Sequence, residues 1–167
     1  MAKLVANSTV DGHLIWHDGS TEDREACLVF QSTAQNILSQ TWTKVLMQSV
    51  EFDKLEGWDA TNIRYIVQKG GIYLVIGAVN WRNTTDGCRS VLEIRKNGAS
   101  YAWINQEHAG ASKDFSSIGN AIIECSINDT LEFFVWHDVP TSMDTSIIAG
   151  GVSGVSPSTF FNISKFA

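Results

Sequence analysis

The stretch that decides the fold is GGIYLVIGAVNW, residues 70–81, which is apolar at nearly every position. Successive side chains of a strand point to opposite faces, so a strand with one face in water should alternate between apolar and polar residues. One apolar set comprises Ile72, Leu74, Ile76 and Ala78, and the other comprises Tyr73, Val75, Val79 and Trp81, with Gly77 between them. Both faces are therefore expected to be covered, either by another copy of the chain or by a loop of the same chain.

Short β-rich runs, separated by turn signals, continue on both sides of this stretch. The predicted strands cover residues 27–32, 42–52 (bent or split), 62–68, 89–96, 99–107, 115–127, 130–137 and 159–166. Asn97-Gly98 separates two of these runs, and Asn-Gly is a strong hairpin signal because both residues accept positive φ. Strands at intervals of about 8–12 residues predict an all-β sandwich or barrel.

Residues 1–26 differ from the rest of the chain. They contain the charged cluster TEDRE and a short apolar patch, Leu14, Ile15 and Trp16, between two histidines. Because this segment is too short for a core of its own, we expect an arm that docks on another molecule or on a neighbouring copy. Residues 27–167 would then form the head domain. The alternative is that the segment adds a strand to the same sandwich.

The composition excludes several classes of protein. The chain has 167 residues and a formal net charge of -6, whereas nucleic-acid binding needs a basic surface. No apolar run approaches the 18 residues of a membrane span, and no secretory signal is expected at the N-terminus. The odd number of cysteines, 3, and the lack of a C-x-x-C motif predict buried, reduced thiols.

Catalytic motifs are missing from the sequence, so we expect a protein that is not an enzyme. It contains no G-x-S-x-G, P-loop or G-x-G-x-x-G. Asp53, Glu56 and Asp59 are interpreted as a solvated acidic loop, although a polysaccharide-acting enzyme stays the third alternative. His13 and His17 have the spacing of metal ligands on a helix, but their flanking glycines argue against a helix, and no metal site is predicted.

The order of several motifs resembles the globular head of the complement subcomponent-q and tumour-necrosis-factor superfamily. The resemblance rests on Gly71-Ile72-Tyr73-Leu74-Val75, Leu92-Glu93-Ile94-Arg95-Lys96-Asn97-Gly98, Asn128-Asp129-Thr130-Leu131-Glu132 and Thr159-Phe160-Phe161-Asn162-Ile163. Trp42 in TWTKV, Phe52 in VEFD and the GWDATN loop look like bacterial and phage versions of this head. Asn128 stands where the family usually has Gly, and no collagen-like stalk precedes the head, which argues against animal signalling or complement functions.

This resemblance implies a ten-strand jelly-roll sandwich that forms a tight homotrimer, with the inner sheets meeting along a three-fold axis. Candidates for the trimer axis or interface are Tyr73, Val75, Val79, Trp81, Phe133 and Phe134, because aromatic residues often fill such interfaces. Which of the two apolar sets of residues 72–81 faces the axis stays open. Some heads of the superfamily hold calcium, for which the candidate ligands are Asn83, Asp86, Asp138 and Asp144. No other cofactor is expected.

The resemblance to phage heads implies a virion surface protein made in the host cytoplasm. It would be a trimeric capsid decoration or head-fibre protein, anchored to the major capsid protein or another virion protein through Leu14, Ile15 and Trp16. The alternative is a receptor- or glycan-binding module of a tail, baseplate or cell surface that uses distal loops. Candidates for its ligand loops are Trp58, Asn83, Asp86 and Asp144. Trp58 and Trp103 could stack on sugars, or could pack in the core.

Overall fold

The structure is a computed structural model that describes residues 5–10, 13–17, 25–82, 84, 86–110, 114–141, 143–146 and 158–166. Its regular structure in these residues is entirely β, so no helix there is long and apolar enough to cross a membrane. The strands are β1 (Val5–Val10), β2 (His13–His17), β3 (Ala26–Phe30), β4 (Asn36–Ile37), β5 (Thr43–Lys44), β6 (Ser49–Asp53), β7 (Trp58–Asp59), β8 (Arg64–Ile66), β9 (Gly71–Arg82), β10 (Arg89–Lys96), β11 (Ala99–His108), β12 (Phe115–Cys125), β13 (Thr130–His137), β14 (Met143–Ser146) and β15 (Phe160–Lys165).

Two antiparallel sheets form a β-sandwich, as the sequence predicts. The seven-stranded sheet has the order β4-β14-β9-β15-β3-β6, and β12 pairs with β9 on its other side. The six-stranded sheet has the order β11-β10-β13-β8-β7, and β5 pairs with β13. The predicted strand over residues 42–52 is indeed split, since β5 and β6 lie in different sheets.

Strand β9, which contains most of the decisive stretch, lies in the interior of the seven-stranded sheet, between β12 and the strands β15 and β14. It pairs with β12 from Gly71 to Trp81 on one side. On the other side it pairs first with β15 and then with β14. Because each edge of β9 is occupied by other strands, only its two faces are left for side-chain packing.

One face of β9 fills the sandwich core. Tyr73, Val75, Val79 and Trp81 have no exposed surface. Gly77 belongs to the same set, and a Cβ there would lie 2.5 Å from a ring carbon of Phe133 in the opposite sheet. A glycine is therefore required at position 77, where the Phe133 ring fills the space and stacks on Phe161 at a centroid distance of 5.4 Å.

A buried carboxylate connects the start of the sandwich to the turn before β9. Glu25 accepts hydrogen bonds from the Tyr65 hydroxyl at 2.6 Å and from the backbone N–H groups of Gln68 and Lys69 at 2.7 and 2.8 Å. The Tyr73 hydroxyl also donates to Glu25. Burial, followed by these contacts with Glu25, raises the pKa of both tyrosines. Glu25 thus belongs to the sandwich, although the sequence assigned it to the arm.

The first two strands pair with each other in a separate two-stranded sheet. Leu14, Ile15 and Trp16 lie on β2, at the positions paired with Thr9, Ser8 and Ala6 of β1. The role of these three residues as an anchor stays a prediction. The division of the chain at residue 26 into arm and head likewise stays a prediction.

Candidate self-association surface

The second face of β9 lies on the outside of the sandwich and is mostly apolar. Strand register places its residues in rows with neighbours from β12, β15, β3 and β6. We call this surface the apolar face, and it comprises Leu28, Phe30, Phe52, Ile72, Leu74, Ile76, Ala78, Ile118, Ile122 and Phe160.

The apolar face is open at its β12 side. Ile118 and Ile122 are paired with Ala78 and Leu74 of β9, yet they are 57% and 65% exposed. Ile123, the next residue along β12, points to the other side of the sheet and is completely buried. Asn120, which pairs with Ile76, lies between these two isoleucines on the same face of β12 and is also exposed. Large aliphatic side chains exposed on one face of a sheet are unfavourable in water and typically mark an interaction surface.

The polar groups on this face are mostly neutral and include Asn120, which is exposed beside Ile76. Asn162 lies between Leu28 and Ile76 in the register of the sheet, and it accepts a hydrogen bond from the Ser164 hydroxyl at 3.2 Å. Glu124 pairs with Ile72 at the end of β12. A surface with an apolar centre and polar groups among and around it can exclude water against a complementary surface.

The structure resolves which set of β9 faces outwards. Tyr73, Val75, Val79 and Trp81 lie inside the sandwich of a single chain, and Phe133 lies there with them. They have no exposed surface for contact with another copy. The axis candidates are therefore revised to the even-numbered set, Ile72, Leu74 and Ile76, because only that set faces outwards. Phe134 lies half-buried on the outer side of the other sheet.

The candidate ligand-loop residues that the structure describes lie on different elements. Trp58 packs against the core from β7, and Asp86 is exposed in a turn before β10. Asp144 accepts a hydrogen bond from the Asn36 side chain at 2.8 Å. Asn83 lies outside the described residues.

The predicted calcium ligands are likewise not brought together in the described residues. Asp138 accepts a hydrogen bond from the backbone N–H of Arg89 at 2.7 Å. Among the residues that the structure describes, no three His, Cys, Asp or Glu side chains are grouped so that they could hold a metal ion. The calcium hypothesis stays a prediction.

The three cysteines are buried thiols, as the sequence predicts. Burial, together with the nearby Asp53 carboxylate, raises the pKa of Cys27 to about 12. Burial raises the pKa of Cys125 to about 11. Because the thiolate is the reactive form, neither cysteine is suited to nucleophilic chemistry at neutral pH.

Known structures share this arrangement of sheets. Murine APRIL at pH 5.0 is similar with a TM-score of 0.60 and 15% identity, over 86% of this chain and 99% of that chain. The Eiger TNF from S. frugiperda has a TM-score of 0.57 and 13% identity, over 86% and 93%. The globular domain of the zebrafish complement 1qA protein has a TM-score of 0.55 and 11% identity, over 83% and 94%.

This chain has the jelly-roll fold of those domains. The fold that the sequence motifs predicted is thereby confirmed, and at these identities the likeness concerns the fold alone. No protein-family model matches the sequence, and no curated protein matches it.

Sequence reasoning missed Ile118 and Ile122, which are the most exposed residues of the apolar face. A signal for them was present in β12, FSSIGNAIIEC, because Ile118 and Ile122 point to one face of the strand and Ile123 points to the other. This pattern could not be interpreted without the register to β9, because the run does not show which of its two faces is the core.

Proposed function

We propose that the chain is a non-enzymatic surface protein that assembles as a homotrimer through the apolar face. The observation that carries this proposal is the outward set of β9, continued by Ile118 and Ile122 on β12. A second copy of the same sheet offers the complementary apolar surface, so self-association covers the face without a further partner. The number three comes from the resemblance to complement-q and tumour-necrosis-factor heads.

Burial energetics favour this assembly. Removing apolar surface from water contributes roughly 25 cal/mol per Å². Obligate homo-oligomer interfaces bury roughly 2,000–5,000 Å² in total. The free energy gained by burying the apolar part of such an area exceeds the entropic cost of immobilising the chains. The low charge of the face avoids the penalty of burying unpaired ions.

We further propose that the trimer decorates a phage virion, with residues 1–24 as the anchor to the major capsid protein or another virion protein. The support is the similarity of the TWTKV, VEFD and GWDATN motifs to bacterial and phage versions of the head. The chain would be made in the host cytoplasm and carried on the particle surface. We place the end of the anchor before Glu25 instead of at residue 26, because Glu25 takes part in the hydrogen bonds of the sandwich.

The trimer is tested by placing a charge on the apolar face. Ile122→Lys should convert the assembly to single chains in sedimentation velocity, because three ammonium groups would have to be desolvated at the interface. Ile127→Lys is the matched control, since Ile127 is 60% exposed in the turn that follows β12. An unchanged sedimentation coefficient for Ile122→Lys would contradict the interface.

The anchor is tested by deleting residues 1–24. The deleted protein should keep the mass of the full-length assembly but no longer join particles of the phage that encodes it, as detected in purified particles by mass spectrometry. Normal incorporation of the deleted protein would refute the anchor and leave the trimer untouched.

A further inference from the structure

The outer side of the six-stranded sheet carries a second, different surface, which is rich in aromatic residues. We call it the aromatic face. Trp42, Arg89, Val91, Trp103 and Trp136 line an open pocket of about 120 Å³. Val91 is almost completely buried and forms the floor, while the three indoles form the walls. Trp42 and Trp103 are neighbours, with ring centroids 6.0 Å apart and an interplanar angle of 42°.

A buried glutamate holds Trp103 in place. Glu93 is only 2% exposed, although it lies on the outer side of the sheet. Its carboxylate accepts hydrogen bonds from the Trp103 indole N–H at 3.0 Å and from the Ser100 hydroxyl at 3.1 Å. It also accepts one from Arg95 Nε at 2.6 Å. The orientation of the Trp103 ring is thus fixed before any ligand arrives, which lowers the entropic cost of binding.

Guanidinium groups stabilise the remaining rings. Arg95 lies 5.9 Å from the centroid of the Trp42 ring, and Arg89 lies 4.7 Å from that of Trp136. Such cation–π contacts restrict both partners. The pocket therefore has rigid aromatic walls and an arginine at its edge that can donate hydrogen bonds.

The charges of the aromatic face cancel one another. Around the pocket, three cations and three carboxylates form the pairs Arg95–Glu93, Lys44–Glu132 and Arg89–Asp138. Arg64 and Asp59 form a further pair on β8 and β7 of the same sheet. To pair with one of these described charges, a charged ligand would have to break an existing ion pair. A neutral ligand meets no such cost.

We propose that this pocket binds a neutral sugar ring of an oligosaccharide. A pyranose presents a flat face of C–H groups, which packs on an indole, and an edge of hydroxyl groups, which accepts or donates hydrogen bonds. The Trp103 ring supplies the flat surface, and the Arg89 side chain supplies a donor at the edge. Trp103 is 61% exposed, so its ring is accessible to a ligand.

This site is independent of the proposed trimer. The aromatic face belongs to the six-stranded sheet, whereas the apolar face belongs to the seven-stranded sheet on the opposite side of the sandwich. Failure of either proposal leaves the other intact. In a trimer, three such pockets would raise the avidity for a repetitive polysaccharide.

The test is calorimetric titration of the full-length protein with neutral oligosaccharides of glucose, mannose, galactose and N-acetylglucosamine. A sulfated oligosaccharide serves as the charged comparison. At least one neutral oligosaccharide should bind with a Kd of about 1 mM or tighter, and the sulfated one should not. Absence of binding by every neutral oligosaccharide, or binding of the sulfated one alone, would overturn the proposal.

Two variants locate the binding. Trp103→Ala should weaken it by about tenfold or more, as expected for a central tryptophan. Tyr101→Ala is the matched control, because Tyr101 is an exposed aromatic residue on the same strand but does not line the pocket. Equal affinities of the two variants would place the sugar elsewhere and overturn the assignment.

A third variant tests the role of charge cancellation. Glu93→Gln keeps the shape of the side chain but leaves Arg95 without its carboxylate. We expect this variant to gain measurable affinity for the sulfated oligosaccharide, an effect that a loss of folding would not produce. If the gain does not occur in a folded Glu93→Gln protein, charge cancellation does not select the ligand.

Discussion

The two outer faces of the sandwich differ in the groups that surround their exposed apolar side chains. The apolar face carries exposed aliphatic residues such as Ile118 and Ile122 and few charges. The aromatic face carries large rings too, but three ion pairs and the contacts of Arg89 and Arg95 cover part of their surface. The first face therefore needs a partner to exclude water, whereas the second is stable in contact with water.

This difference shows that hydrophobic residues alone do not identify an interface. On the aromatic face, the Trp103 indole donates a hydrogen bond to Glu93, and Arg89 lies over the Trp136 ring. On the apolar face, the cross-strand neighbour of Ile122 is Leu74, so the two side chains form one continuous apolar surface.

The sharpest contrast lies between two neighbouring residues of β12. Ile123→Ala should lower the free energy of unfolding by about 2–5 kcal/mol, because it opens a cavity in the core. Ile122→Ala should instead weaken association and change the mass measured at low protein concentration. Urea unfolding and light scattering of both variants check this. Equal changes in the free energy of unfolding and in the mass for the two variants would contradict the assignment of Ile123 to the core and of Ile122 to the apolar face.

A smaller effect is expected at Gly77, where the Phe133 ring of the opposite sheet fills the space beside β9. Gly77→Ala should lower the free energy of unfolding by about 1–3 kcal/mol, because the new methyl group overlaps the Phe133 ring. Gly110→Ala is the control, since a Cβ there meets no atom within 4 Å. Thermal unfolding of both variants measures the difference, and equal melting temperatures would contradict the packing at Gly77.

The aromatic face should contribute little to stability. Trp103→Ala removes a mostly exposed ring and one of three donors to Glu93, so we expect a loss below about 1 kcal/mol in urea unfolding. A loss comparable to that of Ile123→Ala would mean that Trp103 serves the fold, and the comparison of the two faces would then fail.

The smallest effect concerns a buried histidine at the edge of the core. Burial lowers the pKa of His137 below its ordinary value of 6.5, and its ring lies edge-on to Trp81 at 5.9 Å. The unfolded chain therefore binds a proton at a higher pH than the folded chain does. The free energy of unfolding should fall as the pH drops below about 6.5 and should stop falling below the lowered pKa.

His137→Gln is the matching variant, because its amide can still donate to the Ile37 carbonyl that lies 2.9 Å from the His137 ring nitrogen. The part of the pH dependence that begins near 6.5 should disappear in this variant. An identical profile in both proteins would assign the dependence to another group.

Much of the fold could be predicted from the sequence. The long strands β9, β10, β11, β12 and β13 follow the predicted runs closely, because each has enough apolar or alternating residues to be recognised alone. Asn97 and Gly98 have positive φ values of 54° and 77°, as the hairpin signal predicts. The short strands β4, β7 and β14 were missed, since two to four residues carry no periodicity and depend on their neighbours.

The sites were harder to predict than the strands. Both apolar sets of β9 were recognised, but only strand register shows which set faces outwards. The pocket of the aromatic face draws on Trp42, Trp103 and Trp136, which are far apart in sequence and meet only through the order of β5, β13, β10 and β11. Glu25 was assigned to the arm with the charged cluster TEDRE, because its two tyrosine partners lie 40 and 48 residues away.

The most direct test of the central claim is the mass of the purified full-length protein in solution, measured by light scattering after size exclusion. The account predicts the mass of three chains of 18.4 kDa, because the apolar face is covered by other copies. The mass of a single chain would contradict it, since the face would then persist in water or be covered from within the chain.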